Sequence, residues 1–379
     1  MERLIVFVLL LLLPTQLAYH FWPQSSYILG LRVDYLSPAI YLTDFLIILL
    51  IPYIKKRFNF IYPVLFFALI NTVFAEFPFV SLLKWLTVFK LIILGTYFYS
   101  CDLNKLKKTI TSALSLSLIT ISLIGLLQFI FQRTVGGPLY YLGERSFTSL
   151  TPGIALMDFF GRSLMRAYST FSHPNSFAGF VVVSFLIILS FSKKRSFYLC
   201  FFLVLSLLLT VSLNAVVGIL TAGVFVLLFK KFKTFLPVVL ITVSILLGAF
   251  STTLPNNLYL ESNVKERIVL AGRAVDVFVN KPLVGVGLNN FFSVTKNIQP
   301  PHNVYLIIPS ETGILGMLLF YFLLTKLLRK RFSKYILMAL FFVLFTGFFD
   351  HYWFTLQQNE LVLSILLGLS VRNYNNEDG

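Results

Sequence analysis

Long apolar runs separated by short polar segments recur along the whole chain. Runs of about 17–25 residues have the helix length that crosses the ~30 Å hydrocarbon core of a bilayer. The pattern therefore predicts an all-α polytopic membrane protein, with one integral-membrane domain over residues 1–379. We place twelve transmembrane helices near residues 3–20, 38–54, 59–75, 79–99, 109–131, 175–192, 196–212, 214–229, 234–251, 303–325, 335–349 and 356–371.

The charge pattern orients these helices. The chain is 58% hydrophobic and only 12% charged, with a net charge of +16. Most basic residues lie on short loops of one side, which the positive-inside rule makes cytoplasmic, together with both termini. Because orientation explains the excess charge, nucleic acid is excluded as a partner, and the bilayer is the expected one. These loops hold Arg3, Lys55, Lys56, Arg57, Lys105, Lys107, Lys108, Lys193, Lys194, Arg195, Lys230, Lys231, Lys233, Lys326, Arg329, Lys330, Arg331, Lys334 and Arg372.

The opposite, extracytoplasmic side prefers arginine over lysine. Orientation needs only positive charge, whereas planar, bidentate recognition of phosphate favours the guanidinium group. The outer face is therefore expected to bind a phosphorylated ligand, the alternative being chance in a small sample. Its arginines are Arg32, Arg133, Arg145, Arg162, Arg166, Arg267 and Arg273.

Two outer loops, residues 132–174 and 252–302, are long enough to carry a site and short surface helices. In the first loop, Asp158, Arg162 and Arg166 follow at four-residue steps. On a helix, Asp158 would pair with Arg162 and leave Arg166 without a local acidic partner.

The same loop leads into the sixth predicted helix through Ser172-His173-Pro174-Asn175. Ser172 or His173 suits the helix cap and Pro174 suits the first turn. Free backbone N–H groups at such a helix start attract anions. Arg166 and this helix start together predict a phosphate site, against the alternative of a capped helix with a solvated arginine.

The second loop contains an amphipathic segment, residues 261–281, which we expect to lie at the membrane surface. Its Arg273 can pair with Asp276, whereas Arg267 has only the adjacent Glu266, so Arg267 is expected to face the ligand. A further pair is Glu261 with Lys265. The predicted apolar side comprises Ile268, Ala271, Val275 and Phe278.

His302 opens the tenth predicted helix and is the candidate general base. An imidazole near water titrates close to neutrality, which suits proton abstraction, although a lone interfacial histidine is often structural. On a continuous helix Gly313 and Gly316 would share its face and admit a neighbouring helix. Glu311 would point the opposite way, and we expect it to pair with Lys84 or Lys90.

No sequence signature of a metal or nucleotide site is present. The chain has no Walker loop and no Asp-x-Asp pair, and its four histidines, at positions 20, 173, 302 and 351, are scattered over four segments. No metal and no cofactor is therefore predicted. An enzyme of this kind would need a donor that arrives already activated.

At these residues the chain resembles the O-antigen ligase and O-antigen polymerase superfamily of bacterial membrane glycosyltransferases. His302-Asn303, nine residues, and Gly313-x-x-Gly316 fit the family's His-Asn-x9-Gly-x-x-Gly signature. Supporting matches are Arg166 ahead of His173-Pro174-Asn175, and Arg267 ahead of the glycine-rich segment 282–287. The specific motifs lie between about 160 and 325, although the helix pattern fits over the whole chain.

The resemblance implies a metal-independent, inverting transferase of the GT-C type on the outer leaflet of the bacterial cytoplasmic membrane. Its donor would be a glycan on undecaprenyl pyrophosphate, and its acceptor a glycan or glycolipid hydroxyl. Arg166 and Arg267 would hold the pyrophosphate, and His302 would activate the hydroxyl. The neighbouring substrate-binding candidates are His173, Asn175, Arg162, Arg273 and Asn303.

One departure from the family pattern concerns the outer turn between the seventh and eighth predicted helices. Relatives often carry Ser-Arg there, whereas this chain has Ser212-Leu213-Asn214. Either Arg162 or Arg273 supplies the missing cation, or the donor sits differently.

Two other functions stay open. A polymerase of the same superfamily would use a growing lipid-linked chain as acceptor. A transporter or flippase of an anionic lipid or solute would also carry basic residues among membrane helices, although it should show paired repeats and midplane binding residues.

Overall fold

The computed structural model describes residues 1–56, 61–228, 232–253, 262–330 and 332–372. Five predicted features fall outside these ranges: Arg57, Lys230, Lys231 and Arg331 of the cytoplasmic loops, and Glu261 of the second outer loop.

The described chain is predominantly α-helical and contains three small two-stranded antiparallel sheets. The helices are α1 (Glu2–Leu12), α2 (Leu42–Leu50), α3 (Ile61–Val73), α4 (Pro78–Ser100), α5 (Leu103–Phe131), α6 (Pro138–Tyr141), α7 (Pro174–Phe191), α8 (Lys193–Thr210), α9 (Leu213–Leu228), α10 (Leu236–Thr252), α11 (Ser262–Asn280), α12 (Phe291–Thr295), α13 (Val304–Leu328), α14 (Lys334–Gly347), α15 (Tyr352–Thr355) and α16 (Gln357–Ser370). The strands are β1 (Ala18–His20), β2 (Tyr27–Ile28), β3 (Leu31–Arg32), β4 (Ala39–Tyr41), β5 (Leu156–Phe159) and β6 (Arg162–Met165).

Four described helices are long and apolar enough to cross a membrane, namely α4, α5, α7 and α13. Shorter apolar helices include α3, α9, α10 and α14. The protein is thus an all-α membrane protein in its main architecture. The count of twelve spans and the assignment of the two sides stay predictions.

The first predicted helix, residues 3–20, is wrong in its second half. The observed α1 ends at Leu12, because Pro14 has no N–H and its ring clashes with a continuing helix. The chain instead forms β1, which pairs antiparallel with β4, so that Ala18 faces Tyr41 and His20 faces Ala39. The end of the first predicted helix and the start of the second therefore form a small sheet instead.

The segment that carries Asp158 and Arg162 is a hairpin rather than a helix. In β5–β6 Asp158 faces Ser163, which donates a 3.1 Å hydrogen bond to its carboxylate, and Phe159 faces Arg162. Phe160 and Gly161 form the two-residue turn, both with positive φ. The predicted helical Asp158–Arg162 pair is wrong, because the four-residue spacing does not bring side chains together on an extended strand.

Helix α7 lies at the centre of the bundle, almost entirely buried, and packs against α5, α8, α14 and α16. The loop before it is buried as well, so its backbone needs internal partners. Gln128 accepts hydrogen bonds from the amides of Tyr168 and Ser169, and Gln358 donates to the Thr170 carbonyl. The buried side chains of Gln128 and Gln358 therefore fix the loop that joins Arg166 to α7.

Helix α13 is broken at Gly313, which has φ +64°. The glycine-rich loop 282–287 crosses the break: the amides of Ile314 and Leu315 donate to the carbonyls of Pro282 and Leu283. A Cβ at Gly313 would lie 2.4 Å from the Leu283 carbonyl carbon. A loop, not the expected neighbouring helix, thus occupies the space at Gly313, and no continuous helical face joins His302 to Gly316.

Glu311 does not pair with a lysine as expected. Its carboxylate accepts hydrogen bonds from the amides of Asn289 and Phe291, which follow the crossing loop. Lys84 instead contacts Glu360 at 2.5 Å, and Lys90 contacts Asp44 at 2.9 Å. These ion pairs explain how two lysines reside inside a membrane helix.

Helix α11 confirms the predicted amphipathic segment, but its buried face is shifted. The buried residues are Leu270, Ala274 and Val277, which pack with Val286 and Leu306. The predicted apolar residues Ile268, Ala271, Val275 and Phe278 are half-buried beside them. The helix packs against α10 and α13, and this contact orients the arginines that it carries.

Candidate active site

Arg166 directly follows β6, at the end of the β5–β6 hairpin that lies opposite the turn. The ladder continues past β6, because the Arg166 amide donates to the Ala155 carbonyl. Its Nε donates a 2.6 Å hydrogen bond to the Thr210 carbonyl at the end of α8, and its Nη2 donates to Asn175 at 2.9 Å. Nη1 has no hydrogen-bond partner among the described residues. The guanidinium is therefore rigidly held with one donor group free.

Asn175 joins Arg166 to an aspartate that the sequence analysis did not single out. The amide oxygen of Asn175 accepts from Arg166 and from Ser212, and its Nδ2 donates a 3.0 Å hydrogen bond to Asp350. His173 caps α7 by accepting from the Asn175 amide, as predicted for Ser172 or His173. Asn175, in the first turn of α7, thus connects Arg166 to Asp350 through hydrogen bonds.

His302 meets the same aspartate from the start of α13. Its Nδ1 lies 3.7 Å from Asp350 Oδ1, a distance suited to an ion pair once the imidazole is protonated. Its Nε2 lies 3.3 Å from Gln299 Oε1, and about a fifth of the side chain is exposed. Asn303 caps α13 by accepting from the Tyr305 amide and donates to Ser244. The cap fixes the position of His302.

Asp350 is the buried acidic centre of the site. Burial alone would raise its pKa, but the adjacent imidazoles of His302, His351 and His173 favour the anion and lower the pKa well below the usual range. Burial also lowers the pKa of His173 to about 4 and that of His351 to about 3, although Asp350 opposes both shifts. Near pH 7 the carboxylate is therefore ionised, and these two histidines are neutral.

Arg267 reaches this cluster from α11. Its Nη1 donates a 3.3 Å hydrogen bond to the carbonyl of Phe349, the residue before Asp350. Its charge acts on both His173 and His351. The side chain is exposed, so the guanidinium borders the cluster on its solvent side.

The remaining candidates lie farther out or have other contacts. Arg162 is exposed on β6. Arg273 donates to Asn297, so its expected pairing with Asp276 is wrong. Asn214 lies 3.5 Å from the Thr346 carbonyl through its Nδ2. In the described part of the chain, neither Arg162 nor Arg273 forms a hydrogen bond or ion pair with Arg166, His302 or Asp350.

Three of the four histidines, expected to be scattered, meet around Asp350. The rings of His302 and His351 have centroids 5.0 Å apart. One donor atom from each of His302, Asp350 and His351 can be chosen so that all three lie within 4.8 Å of one another. This set, which the sequence analysis missed, offers two nitrogens and one oxygen and could hold a metal ion.

Asp350 and His351 had one local signal in the sequence. They are an acid and a base directly after an apolar helix, at the same side of the predicted bundle as His302. Polar residues at such a place usually have a functional or paired role. Their partner could not be identified from spacing, because 48 positions separate His302 from Asp350.

Residues 164–321 match the family model described as O-antigen ligase. This match supports membership of the O-antigen ligase and polymerase superfamily. The matched region, somewhat less than half of the chain, contains Arg166, Arg267 and His302. At the family level, the match supports a ligase- or polymerase-type function in polysaccharide biosynthesis. Searches of curated proteins and of solved structures found no match.

Proposed function

We propose that the protein transfers a glycan from a polyprenyl-pyrophosphate carrier, undecaprenyl in bacteria, to an acceptor hydroxyl, as an inverting O-antigen ligase. The observation that carries this proposal is the convergence of Arg166, Asn175, Asp350 and His302, which come from three distant segments of the chain. A fixed guanidinium and a candidate base, separated by one buried carboxylate, suit the departure of an anion and the uptake of a proton.

The reaction follows from this arrangement. The acceptor oxygen attacks the anomeric carbon from the face opposite the pyrophosphate, and its proton passes to Nε2 of His302. Nδ1 faces Asp350, whose negative charge stabilises the resulting imidazolium. The bond from the anomeric carbon to the pyrophosphate oxygen breaks, and its electron pair leaves with the pyrophosphate. Arg166 and Arg267 offset that charge, so the transfer needs no cation.

An apolar cavity next to the site supports a lipid-linked donor. It has a volume of about 120 Å³, and its lining includes Val304 and Tyr305, which closely follow the predicted base in the chain. Leu340 and Trp353 contribute to its apolar wall. A cavity of this size is too small for the whole lipid chain, but it could desolvate the first few carbons of the chain while the pyrophosphate stays at the polar cluster.

The direct test is to incubate purified protein with a polyprenyl-pyrophosphate oligosaccharide, with and without lipid A core acceptor. Transfer to the core with inverted anomeric configuration supports a ligase. A longer lipid-linked glycan, formed without added acceptor, identifies a polymerase. The proposal fails if the donor is not consumed, and uptake of an anionic solute into proteoliposomes would then favour transport.

Exchange of either site arginine for lysine is expected to slow transfer about tenfold to a hundredfold. Lysine keeps the charge but loses the planar, bidentate geometry, and the compact ammonium at position 166 cannot span Thr210, Asn175 and the ligand as the guanidinium does. Initial rates with Arg166→Lys and Arg267→Lys measure this effect. Arg195→Lys, whose parent side chain binds Ser112, serves as control. Unchanged rates in both site variants would remove the pyrophosphate role.

Exchange of Asp350 for asparagine is expected to lower kcat at least about tenfold with little change in donor KM. The variant keeps the side-chain shape but loses the charge that stabilises the protonated base. A merely structural role would instead reduce the yield of folded protein and leave kcat per folded molecule intact. Active-site titration of the purified variant separates the two outcomes.

A further inference from the structure

We propose that His302, Asp350 and His351 form a Zn²⁺ site whose occupation removes the base from the reaction. The inhibition deepens the proposed function and depends on it, whereas metal binding does not. Two imidazoles and one carboxylate with an open fourth position are a donor set that zinc uses in proteins.

The geometry is close to that of a bound ion. Ligand atoms on one tetrahedral zinc lie ~3.3 Å apart, given bonds of about 2.0–2.1 Å. The three donors here lie within 4.8 Å of one another, and His302 Nδ1 is 3.7 Å from Asp350 Oδ1. Relative to the ~3.3 Å spacing of zinc ligands, no pair of donors has to approach by more than about 1.5 Å. Asp350 and His351 are buried, at 5% and 6% exposure, and give it a rigid base.

Two observations indicate that donors are available to a cation. His302 Nδ1 is buried and has no hydrogen-bond partner within the described ranges. His351 uses its Nδ1 with the Thr355 hydroxyl at 2.7 Å, which orients the ring and leaves Nε2 free. Such an outer hydrogen bond is typical of histidines that bind metal.

The inhibition follows from imidazole chemistry. A neutral ring has one N–H and one lone pair, and the base needs its lone pair on Nε2 with the hydrogen on Nδ1. Zinc on Nδ1 binds the lone pair of the other tautomer, in which the single hydrogen has moved from Nδ1 to Nε2. The occupied ring therefore cannot accept the acceptor proton. Asp350, once bound to zinc, also no longer stabilises a protonated His302.

The positive charges of Arg166 and Arg267 oppose a cation here. We therefore expect micromolar rather than nanomolar affinity, since a second histidine and a carboxylate offset only part of that repulsion. The site would then respond to an excess of zinc in the medium and stay free at low zinc.

Binding is tested by isothermal titration of ZnCl₂ into chelator-treated full-length protein in detergent. We expect one equivalent bound, with affinity falling more than about tenfold in His351→Asn. Thr355→Val removes only the hydroxyl that orients His351, so it should weaken zinc binding less than His351→Asn does. If His351→Asn does not fold, Thr355→Val still tests the site. His20→Asn is the matched control, because His20 contacts Ser37 on an outer loop. No binding at 100 µM zinc (roughly a hundred times a micromolar Kd), or equal weakening in His20→Asn, overturns the site.

Inhibition is tested in the transfer assay. Zinc at saturation should slow the wild-type transfer rate at least tenfold, and EDTA should restore that rate. In His351→Asn the transfer rates with zinc and with EDTA should be equal. Zinc that binds without slowing transfer contradicts the inhibitory role. Failure of the proposed function is recognised separately, as no transfer even in EDTA, and leaves the binding result intact.

Discussion

Replacement of His302 by alanine is expected to lower the transfer rate by about 10²–10⁴-fold, the usual contribution of a positioned general base. Without the imidazole, the acceptor proton has only water to receive it. The variant should fold, because His302 is partly exposed and the cap of α13 is formed by Asn303. Initial rates with purified, monodisperse protein measure the effect.

His20→Ala is the matched control for this experiment, since His20 is a half-buried histidine of β1 that contacts Ser37. It should retain the parental rate within about twofold, well below the loss expected for a general base. If His302→Ala keeps a rate within about threefold of the parent, the base is another group.

Replacement of Gly285 or Gly313 by alanine is expected to cost at least about 4 kcal/mol of stability, enough to abolish recovery of folded protein. Gly285 has φ +70°, and a Cβ there would lie 2.3 Å from the carbonyl carbon of Glu311. Gly313 has φ +64° and makes the reciprocal overlap with Leu283. Left-handed strain adds about 1–2 kcal/mol, and backbone atoms on both sides leave no room for relaxation.

Gly223→Ala is the control for this pair. Gly223 lies within α9, and the nearest atom to an added Cβ is Met338 Cε at 3.8 Å. Helix propensity predicts an unchanged or slightly higher stability for it, by up to about 1 kcal/mol. Detergent thermal unfolding and size-exclusion profiles compare the three variants. Normal profiles for Gly285→Ala and Gly313→Ala would contradict the crossing of the loop over the broken helix.

Much of the helical framework was predictable, because apolar length and charge asymmetry are local signals. The bounds of α4 and α7 differ from the predicted ones by one residue. The failures have identifiable causes. Pro14 ends α1, and the turn at Phe160-Gly161 lacks the usual Asn-Gly or Asp-Gly signal, so the hairpin was mistaken for a helix. Glycines that suggest close helices can equally admit a loop.

The candidate site was predictable only in part. His302, Arg166 and Arg267 were identifiable from their motifs and their unpaired character. Asp350 was not, because its contact with His302 depends on how α13 and α14 meet. Pairings inside the bundle were equally inaccessible: Lys84 contacts Glu360, 276 positions away. Such contacts arise from tertiary packing, to which spacing along one helix gives no guide.

The convergence of the arginines and the histidine is tested most directly by a structure of the protein with polyprenyl pyrophosphate bound. The account predicts pyrophosphate oxygens within about 3 Å of the guanidiniums of Arg166 and Arg267. It also predicts that Nε2 of His302 faces the position of the anomeric carbon. A pyrophosphate bound away from both arginines, with His302 turned from it, would contradict the account.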